Sequence, residues 1–334
     1  MTKPRFSIII PVYNRPDEIA DLLESLAHQT VRNFEVVITE DGSTISCEDV
    51  VNRYRDILPV KYYKKENEGR SIARNHSMKH AEGDYFIFFD SDCVIPPQYF
   101  ENLTAELDAA PADSFGGPDA AHQSFTTVQK AINFAMTSFL TTGGIRGGKH
   151  SMEKFTPRTF NMGFSREVYE KTGGFREMFS EDIDMSKRIE GAGFSTRLIR
   201  KACVYHKRRI SFKKFFRQVY VFGMSRITLK LLYPGSLKAV HTLPALFVVG
   251  LAALLAFGIF LSPWWLLPIG LYIAALFISA LFSTKSLPVA LLAVPAAFIQ
   301  LTGYGLGFLK AFIVKIVFGK GRNIDEEIAI RKGK

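Results

Sequence analysis

The segment Tyr85-Phe86-Ile87-Phe88-Phe89-Asp90-Ser91-Asp92 joins an apolar run to two carboxylates that are one residue apart. The apolar run predicts a buried β-strand. Like charges this close raise each other's pKa unless a cation lies between them, and carboxylates together with substrate phosphates are usual magnesium ligands. The segment therefore predicts a strand that ends at a metal-assisted site for a phosphorylated substrate, although Asp and Ser are also ordinary turn residues.

Strand and helix patterns alternate on the N-terminal side of this segment. The predicted strands are Phe6–Ile10, Phe34–Thr39, Val60–Tyr63 and Asp84–Phe89, and the predicted helices are Asp17–Ala27, Glu48–Arg55 and Ser71–His80. The alternation predicts an α/β domain of parallel β-α units with helices on both faces of the sheet.

Polar segments follow three of the predicted strands, namely Pro11–Asn14, Glu40-Asp41 and Asp90–Asp92. Ligands of such sheets bind outside the carboxyl ends of the strands, so we expect these segments to meet in one crevice. The first strand is followed neither by a glycine-rich dinucleotide fingerprint nor by a phosphate-binding lysine loop. We therefore expect a nucleotide site without a glycine-rich cradle.

The charge of the chain is divided unequally. The 334 residues carry a net charge of +10, but residues 1–190 hold 29 acids and 22 bases, whereas residues 191–334 hold 3 acids and 20 bases. A basic half of this kind indicates a nucleic-acid or membrane partner. The apolar segments within it favour the membrane.

Three apolar stretches in the basic half are long enough to cross a hydrocarbon layer of ~30 Å: Leu243–Leu261, Trp264–Phe282 and Leu287–Leu309. Glycines at 303, 305 and 307 interrupt the third stretch. We expect a transmembrane region over residues 237–318, followed by a basic tail over residues 319–334. Lys285 and the tail both favour the cytoplasmic side, so the sequence leaves two or three crossings open.

Residues 209–236 precede the first apolar stretch, and apolar side chains recur there at helical spacing among basic ones. This pattern predicts an amphipathic helix in the membrane interface beside anionic headgroups. The alternative is an ordinary surface helix packed on a core.

The N-terminus has no apolar stretch long enough for a signal peptide, and the three cysteines have no paired spacing. We therefore expect residues 1–208 to form a cytoplasmic domain on a bacterial-type inner membrane.

Several motifs of residues 1–210, taken together and in order, resemble family 2 glycosyltransferases, which are inverting enzymes of the GT-A fold with a mixed, mostly parallel sheet. The motifs are Ser7-Ile8-Ile9-Ile10-Pro11-Val12-Tyr13-Asn14, Glu40-Asp41-Gly42-Ser43, Gly69 with Ala73-Arg74-Asn75, Asp90-Ser91-Asp92, Gly173-Gly174-Phe175, and Glu181-Asp182-Ile183-Asp184 followed by Arg188. The family commonly has two aspartates where this chain has Glu40-Asp41, which leaves the role of Glu40 open.

The resemblance implies a nucleotide-diphosphate sugar as donor, with UDP as the expected nucleotide. It implies that Asp182 is the general base, with Glu181 and Asp184 as its local rivals. It places the donor against Pro11, Tyr13, Asn14, Glu40, Asp41, Arg74, Asp90 and Asp92, and the acceptor and sugar against Asn161, Gly163 and Glu181. It makes Asp92 and His206 ligands of Mn²⁺ or Mg²⁺, although His206 is equally well read as a polar residue at the edge of the basic segment.

The reaction has a physical basis of its own. A divalent cation neutralises the charge that develops on the leaving diphosphate. A carboxylate that takes the proton of the attacking hydroxyl contributes typically ~10²–10⁴ in rate. Attack from the face opposite the leaving group inverts the anomeric carbon and needs a single base, as in inverting glycosidases.

We therefore expect a membrane-anchored enzyme that moves one sugar to a hydroxyl of a lipid-linked or other glycan acceptor, with membrane lipids and not nucleic acid as its surroundings. One alternative is a polyprenyl-phosphate glycosyltransferase, whose usual Asp-Ala-Asp-Leu-Gln-His-Pro differs from the sequence at Asp90–Pro96. Another is a processive polysaccharide synthase, whose Gln-x-x-Arg-Trp motif has no counterpart near Arg217–Tyr220. A non-catalytic membrane adaptor and a nucleic-acid binder are the alternatives from other classes.

Overall fold

The computed structural model describes residues 3–120, 125–143, 155–207 and 211–321. The chain divides into two units. The sheet unit contains the described residues 3–120 and 155–207, and the helical unit contains residues 125–143 and 211–321.

The sheet unit alternates strand and helix along its first half, as expected. Its strands are β1 (Phe6–Val12), β2 (Phe34–Asp41), β3 (Val60–Lys65), β4 (Tyr85–Phe88), β5 (Cys93–Val94), β6 (Ser114–Gly116), β7 (Asp119–Ala120), β8 (Met162–Ser165), β9 (Thr196–Leu198) and β10 (Val204–His206). Its helices are α1 (Pro16–Ala27), α2 (Glu48–Asn52), α3 (Arg70–His80), α4 (Tyr99–Ala109), α7 (Arg166–Thr172) and α8 (Glu181–Gly191).

The main sheet has seven strands in the order β3-β2-β1-β4-β8-β6-β9. The pairs β1/β2, β2/β3, β1/β4 and β6/β9 are parallel, whereas β8 runs antiparallel to β4 and β6. A small second sheet has the order β5-β10-β7. The predicted mixed, mostly parallel sheet is confirmed.

The two faces of the main sheet have separate cores, because successive strand residues point to opposite faces. On one face Ile8 and Ile10 pack with apolar residues of α1, α2 and α4. On the other face Ile9 packs with Met78 of α3 and Met185 of α8. Helices therefore cover both faces, which leaves the carboxyl ends of β1, β2 and β4 as the open edge where polar residues can meet.

The helical unit consists of α5 (Thr127–Thr137), α6 (Phe139–Thr142), α9 (Phe212–Leu232), a 3₁₀ turn η1 (Ala239–His241), α10 (Leu243–Phe260), a 3₁₀ turn η2 (Pro263–Leu266), α11 (Leu267–Thr284), α12 (Leu287–Ala311) and a π-helical turn η3 (Phe312–Val317). Three of its segments are long and apolar enough to cross a membrane: Leu243–Phe260, Pro263–Thr284 and Leu287–Val317. These segments agree with the three apolar stretches of the sequence.

The third segment is a continuous helix through its glycines. A Cβ added at Gly303 would lie 2.6 Å from Val219, one at Gly305 would lie 2.3 Å from the carbonyl oxygen of Pro244, and one at Gly307 would lie 2.0 Å from the carbonyl oxygen of Tyr220. Small residues let helix backbones approach closely in this way. The glycines therefore permit α12 to pack on α9 and α10 and do not interrupt it.

The apolar stripe of α9 has a different partner from the one expected. Phe215, Val219 and Ile227 are buried in the helical unit, and Gly223 lies so close to α12 that a Cβ would come within 2.0 Å of the Tyr304 carbonyl oxygen. The sequence analysis oriented this stripe toward lipid. The structure corrects that orientation, because α12 covers the stripe, as in the alternative of a helix packed on a core.

The division between the units also differs from the expected boundary at residue 208. Residues 125–143, which were expected in the first domain, belong to the helical unit, because Ala131, Ile132 and Ala135 of α5 share a core with α9, α11 and α12. Most of the expected basic tail, residues 322–334, lies outside the described residues.

Candidate active site

A cavity of about 350 Å³ opens at the carboxyl ends of β1 and β2. It is lined by Pro11, Val12, Tyr13, Asp41, Asn67, Gly69, Arg70, Glu177, Met178 and Phe179. Three of the predicted donor-binding residues, Pro11, Tyr13 and Asp41, therefore lie on one wall. Tyr13 is half exposed, so its ring is accessible to a ligand.

Asp41 is the best-held carboxylate in this cavity. Its oxygens accept hydrogen bonds from the backbone N–H groups of Glu68 (3.0 Å) and Gly69 (2.8 Å), and Lys65 Nζ lies 2.9 Å away. Asp41 therefore fixes the loop that leads into α3. Gly69 has φ of +101° in this loop, and a Cβ there would lie 2.6 Å from the Glu177 carboxyl carbon, so only glycine fits the turn without strain.

A network of ion pairs links the Asp90 segment to the start of α8. Arg74, which is 1% exposed, donates to Asp90 Oδ1 (2.7 Å) and to Glu181 Oε1 (3.0 Å). Arg70 donates to the other oxygen of Glu181 at 2.7 Å. The fold thereby brings Arg74, Asp90 and Glu181 together from three distant parts of the sequence.

Asp182 is the one acid of the 181–184 segment that is not buried. Glu181 and Asp184 are 3% and 0% exposed, and Asp184 pairs with Arg176 and Arg188. Asp182 is 16% exposed, and its Oδ2 lies 3.5 Å from Arg158 Nη1. The preceding Ser180 has φ of +63°, an uncommon conformation for a residue with a side chain. Of the three acids, Asp182 has the most exposed carboxylate.

Asp92 and His206 meet in the structure although they are far apart in the sequence. His206 Nε2 lies 3.1 Å from Asp92 Oδ1, and Asp119 Oδ2 lies 3.7 Å from His206 Nδ1. The ring of Phe160 stacks on the imidazole with centroids 4.6 Å apart. His206 is thus held in the small sheet with one ring nitrogen directed at Asp92.

The donor set at this position fits a divalent cation. Ligand atoms of Asp92, Cys93 and His206 lie within 4.8 Å of one another. Carboxylate and imidazole both suit Mn²⁺. Cys93 fits less well, since Mn²⁺ prefers harder ligands, and burial raises the pKa of its thiol well above the usual range. Asp92 and His206 are therefore the residues that would hold the metal.

Two predicted donor-binding residues, Asn14 and Glu40, make internal hydrogen bonds. Asn14 Oδ1 accepts from the backbone N–H groups of Thr44 (2.8 Å) and Ile45 (2.9 Å), so it fastens the loop after β2. Glu40 accepts from the Cys47 N–H (2.9 Å) and from Tyr62. Burial opposes ionisation of Glu40, but its hydrogen bonds outweigh burial and lower its pKa. Neither side chain lines the cavity beside Asp41.

The three residues predicted to contact the acceptor or the sugar are also used internally. Asn161 is fully buried, accepts from Tyr99 Oη (2.7 Å) and donates to the Ala202 carbonyl oxygen (2.7 Å). A Cβ at Gly163 would lie 2.2 Å from the Phe115 ring. Glu181 is enclosed by its two arginines. Substrate contact by these three residues stays a prediction, and short motifs did not reveal their internal contacts.

The structure adds residues that the sequence analysis missed. Glu177 lines the cavity and accepts from the Ser71 N–H at the start of α3 (3.0 Å). Arg70 lines the same cavity, and Arg158 faces Asp182. Arg70 directly follows Gly69 of a quoted motif, which could have indicated it. No signal in the sequence pointed to Arg158 or Glu177.

Comparison with known proteins agrees with this architecture. The family model described as Glycosyl transferase family 2 matches residues 7–173. The chain is 39% identical over 114 residues to a validoxylamine A glucosyltransferase of Streptomyces hygroscopicus subsp. jinggangensis. The aligned region covers 33% of this chain and 27% of the relative. The chain is also 32% identical over 135 residues to an uncharacterized glycosyltransferase of Rickettsia felis. This aligned region covers 40% of this chain and 22% of the relative. The chain thus spans under a third of either relative.

Among solved structures, a mannosyltransferase from Pyrobaculum calidifontis in complex with GDP-Man and Mn²⁺ superposes with a TM-score of 0.56 at 20% identity, covering 96% of this chain and 89% of that one. At this identity the likeness concerns the fold alone, and it agrees with the GT-A fold expected from the motifs. Since the family model spans half of the chain, the chain belongs to glycosyltransferase family 2 and is an enzyme of that class.

Proposed function

We propose that the chain is a membrane-anchored inverting glycosyltransferase. It moves one sugar from a nucleotide-diphosphate sugar to a hydroxyl of a lipid-linked glycan acceptor, with Asp182 as general base and a divalent cation held by Asp92 and His206. The observation that carries the proposal is the Asp90–Arg74–Glu181 network, since it ties the Asp-x-Asp segment to the neighbour of Asp182.

The cavity at the β1 and β2 ends is the proposed donor site. It has room for a nucleoside, at about 350 Å³, and Tyr13 offers an aromatic face on which a base can stack. UDP is our expected nucleotide. The Pyrobaculum calidifontis mannosyltransferase was solved with GDP-Man and Mn²⁺, so a guanosine donor is the first alternative to test.

The proposed cation is Mn²⁺ or Mg²⁺. When bound, it would neutralise charge on the diphosphate leaving group. The protein's contribution is orientation: Phe160 stacks on His206, and Asp119 lies beside the ring nitrogen that is turned away from Asp92. Partners of this kind fix the tautomer and the plane of a metal-binding imidazole.

Asp182 is the proposed base because its rivals are neutralised. Glu181 and Asp184 are buried and each is paired with two arginines, so neither carboxylate is open to an acceptor hydroxyl. Asp182 has one oxygen occupied by the backbone N–H of Ile183 (2.8 Å) and the other turned toward Arg158. That second oxygen can take the acceptor proton while Arg158 keeps the carboxylate in place.

The membrane part of the proposal rests on the three candidate spans. We place the sheet unit on the cytoplasmic side of a bacterial-type inner membrane. The cysteines support this, since Cys47, Cys93 and Cys203 are all free, and burial raises the pKa of Cys47 to about 12 and that of Cys203 to about 11. Unpaired, protonated thiols fit a reducing compartment. The acceptor hydroxyl belongs to a cell-envelope glycan or glycolipid.

The test compares Asp182→Asn with the exposed control Glu190→Gln on the same helix. UDP-, GDP- and dTDP-sugars are first screened for a donor that raises the melting temperature of the protein. With that donor, we expect Asp182→Asn to lower kcat by ~10²–10⁴. The rise in melting temperature that the donor causes should be unchanged in this variant. Glu190→Gln should behave as wild type. Transfer by Asp182→Asn at the normal rate would refute the base assignment, and retention of the donor's anomeric configuration would refute the inverting mechanism.

The cation assignment has its own test. Asp92→Asn should raise the Mn²⁺ concentration that gives half-maximal activity by about 10-fold or more, and chelation should abolish the donor-induced stabilisation of the wild type. Unchanged Mn²⁺ dependence in Asp92→Asn would place the cation elsewhere.

A further inference from the structure

Arg70 is the one basic residue among the described residues that line the cavity at the carboxyl ends of β1 and β2. Two acids also line it, and both already have partners of positive or partly positive charge. Asp41 accepts from two backbone N–H groups and pairs with Lys65. Glu177 accepts from the Ser71 N–H at the N-terminus of α3, the positive end of the helix dipole. Arg70 is therefore the wall residue that offers a full positive charge to an anionic ligand.

The guanidinium of Arg70 has N–H groups that its protein contacts do not use. The side chain is 53% exposed, and Nη2 donates to Oε2 of Glu181 at 2.7 Å. This is a single hydrogen bond from a group that has five N–H donors. Glu181 is 3% exposed and is also held by Arg74, so it is a fixed anchor for the guanidinium. A buried carboxylate thus orients Arg70 and leaves most of its N–H groups available to a ligand.

Arg70 lies between the two parts of the proposed site. It directly follows the loop whose backbone N–H groups are bound by Asp41 on the cavity wall. On its other side it contacts Glu181, the sequence neighbour of the proposed base Asp182. The carboxylate of Glu181, together with those of Asp90 and Asp182, raises the pKa of the guanidinium. A nucleotide sugar has a matching order, since its diphosphate lies between the nucleoside and the sugar.

We propose that Arg70 binds the diphosphate of the nucleotide-sugar donor, with its guanidinium held in place by Glu181. The inference rests on the proposed function, because it takes the cavity as the donor site, and it assigns a phosphate-binding residue to that site. A guanidinium can bind phosphate oxygens through two parallel hydrogen bonds. Arg70 therefore favours a nucleoside diphosphate over the bare nucleoside.

The test compares ligands with and without phosphate in matched arginine variants. Arg70→Met removes the guanidinium, while Glu181 stays paired with Arg74. Arg176→Met is the control, because Arg176 is also about half exposed, at 46%, and pairs with a buried acid, but does not line the cavity. Arg70→Lys keeps the charge without the forked geometry. A general loss of structure would weaken both ligands, so the ratio of their affinities isolates the phosphate contact.

The probes are UDP with uridine and GDP with guanosine, added to the full-length protein in phosphatidylcholine nanodiscs with Mn²⁺ and without acceptor. Calorimetry gives the dissociation constants of the diphosphates, and competition against them gives those of the nucleosides. For the pair whose diphosphate the wild type binds more tightly, we expect Arg70→Met to weaken the diphosphate about 10- to 100-fold, because hydrogen bonds between charged groups are lost. Its affinity for the nucleoside should be unchanged. Arg70→Lys should weaken the diphosphate less, and Arg176→Met should bind both ligands as the wild type does.

Equal weakening of the diphosphate and the nucleoside in Arg70→Met would overturn the inference, because it would show a structural role. Unchanged affinity for the diphosphate, or a wild type that binds neither diphosphate, would also overturn it. Because no acceptor is present, these results are separate from the transfer assay. If the selective loss is found but no sugar is transferred to any acceptor, the proposed function fails and the phosphate contact stands. If transfer is found and Arg70→Met keeps full affinity for the diphosphate, the phosphate contact alone fails.

Discussion

At the scale of single residues, arginines decide which carboxylate remains available for chemistry. Glu181 is paired by Arg70 and Arg74, and Asp184 by Arg176 and Arg188. Both carboxylates are buried, and their paired arginines hold them in place. Asp182 is partly exposed, and its Oδ2 lies 3.5 Å from Nη1 of Arg158. The three acids therefore differ in the number of arginines that each one contacts, and the proposed base is the acid with the fewest.

The first prediction concerns Arg74, the centre of the network. Arg74→Met should destabilise the sheet unit by about 3–5 kcal/mol, because it leaves Asp90 and one oxygen of buried Glu181 without their partner. Arg70→Met is the comparison and should cost less, since Arg70 is 53% exposed and its loss leaves Glu181 still paired with Arg74. Melting temperatures in detergent would distinguish the variants, and equal shifts would contradict the central role of Arg74.

The same residues indicate how far sequence could go. Through the family resemblance, the motifs pointed to Asp41, Asp92, Asp182 and His206 as site residues, and the structure brings His206 within 3.1 Å of Asp92. They left Glu181 and Asp184 as rivals of Asp182, and the two arginines that enclose Glu181 lie on α3, more than a hundred residues away in the sequence. They also assigned Asn161 to the substrate, although its amide is bonded to Tyr99 and Ala202 in the interior. Residue type was predictable, whereas burial and long-range partners were not.

At the scale of elements, β2 carries a buried acid that ties three neighbours together. Glu35 accepts from Ser7 Oγ of β1 (2.6 Å) and pairs with Lys61 of β3 at 2.9 Å. It also accepts from the Glu82 N–H before β4. Burial opposes the charge of Glu35, but these hydrogen bonds and Lys61 outweigh burial and lower its pKa below 4.5. The carboxylate thus stabilises the edge of the sheet opposite the site.

This arrangement predicts an acid dependence of stability. A group whose pKa is lowered by folding stabilises the native state fully above its unfolded pKa, and the contribution is lost as the pH falls through the folded pKa. We expect the melting temperature of the wild type to fall more steeply than that of Glu35→Gln between about pH 5 and about pH 3. The exposed control Glu66→Gln should follow the wild type, and a Glu35→Gln curve parallel to the wild type would contradict the assignment.

Helix packing in the helical unit depends on glycines at which two backbones meet. Gly307 lies against the Tyr220 carbonyl oxygen and Gly223 against that of Tyr304, so α9 and α12 each supply a small residue to the other. The sequence reading took the α12 glycines as interruptions, because glycine weakens an isolated helix. It could not recognise a packing role, since that role depends on a partner helix about 80 residues away.

The packing role predicts a strong effect of a single methyl group. Gly307→Ala should lower the melting temperature of the full chain in detergent and open the α9–α12 contact to proteolysis, since the added Cβ would lie 2.0 Å from backbone. Gly270→Ala, where the Cβ meets nothing within 4 Å, should be neutral or slightly stabilising, because alanine favours helix by up to about 1 kcal/mol. Equal behaviour of the two variants would show that the close contact is absent in solution.

At the scale of the whole molecule, one half of the chain carries two features that would favour a membrane. Residues 191–334 hold 20 bases and 3 acids, which attract an anionic surface, and the same half supplies the three apolar candidate spans. Electrostatic attraction is screened over ~3 Å at about 1 M salt, whereas burial of apolar helices in hydrocarbon is not. Salt therefore separates the two contributions.

We predict that the full-length protein stays with the membrane fraction after a wash in about 1 M salt and after nuclease treatment, and that only detergent releases it. Retention would follow from apolar spans, since neither lipid charge nor nucleic acid could hold the chain under those conditions. A chain held by its basic residues alone would be released by salt, and one held by nucleic acid would be released by nuclease. Release by either treatment would contradict membrane insertion and would make the helical unit a surface-bound domain.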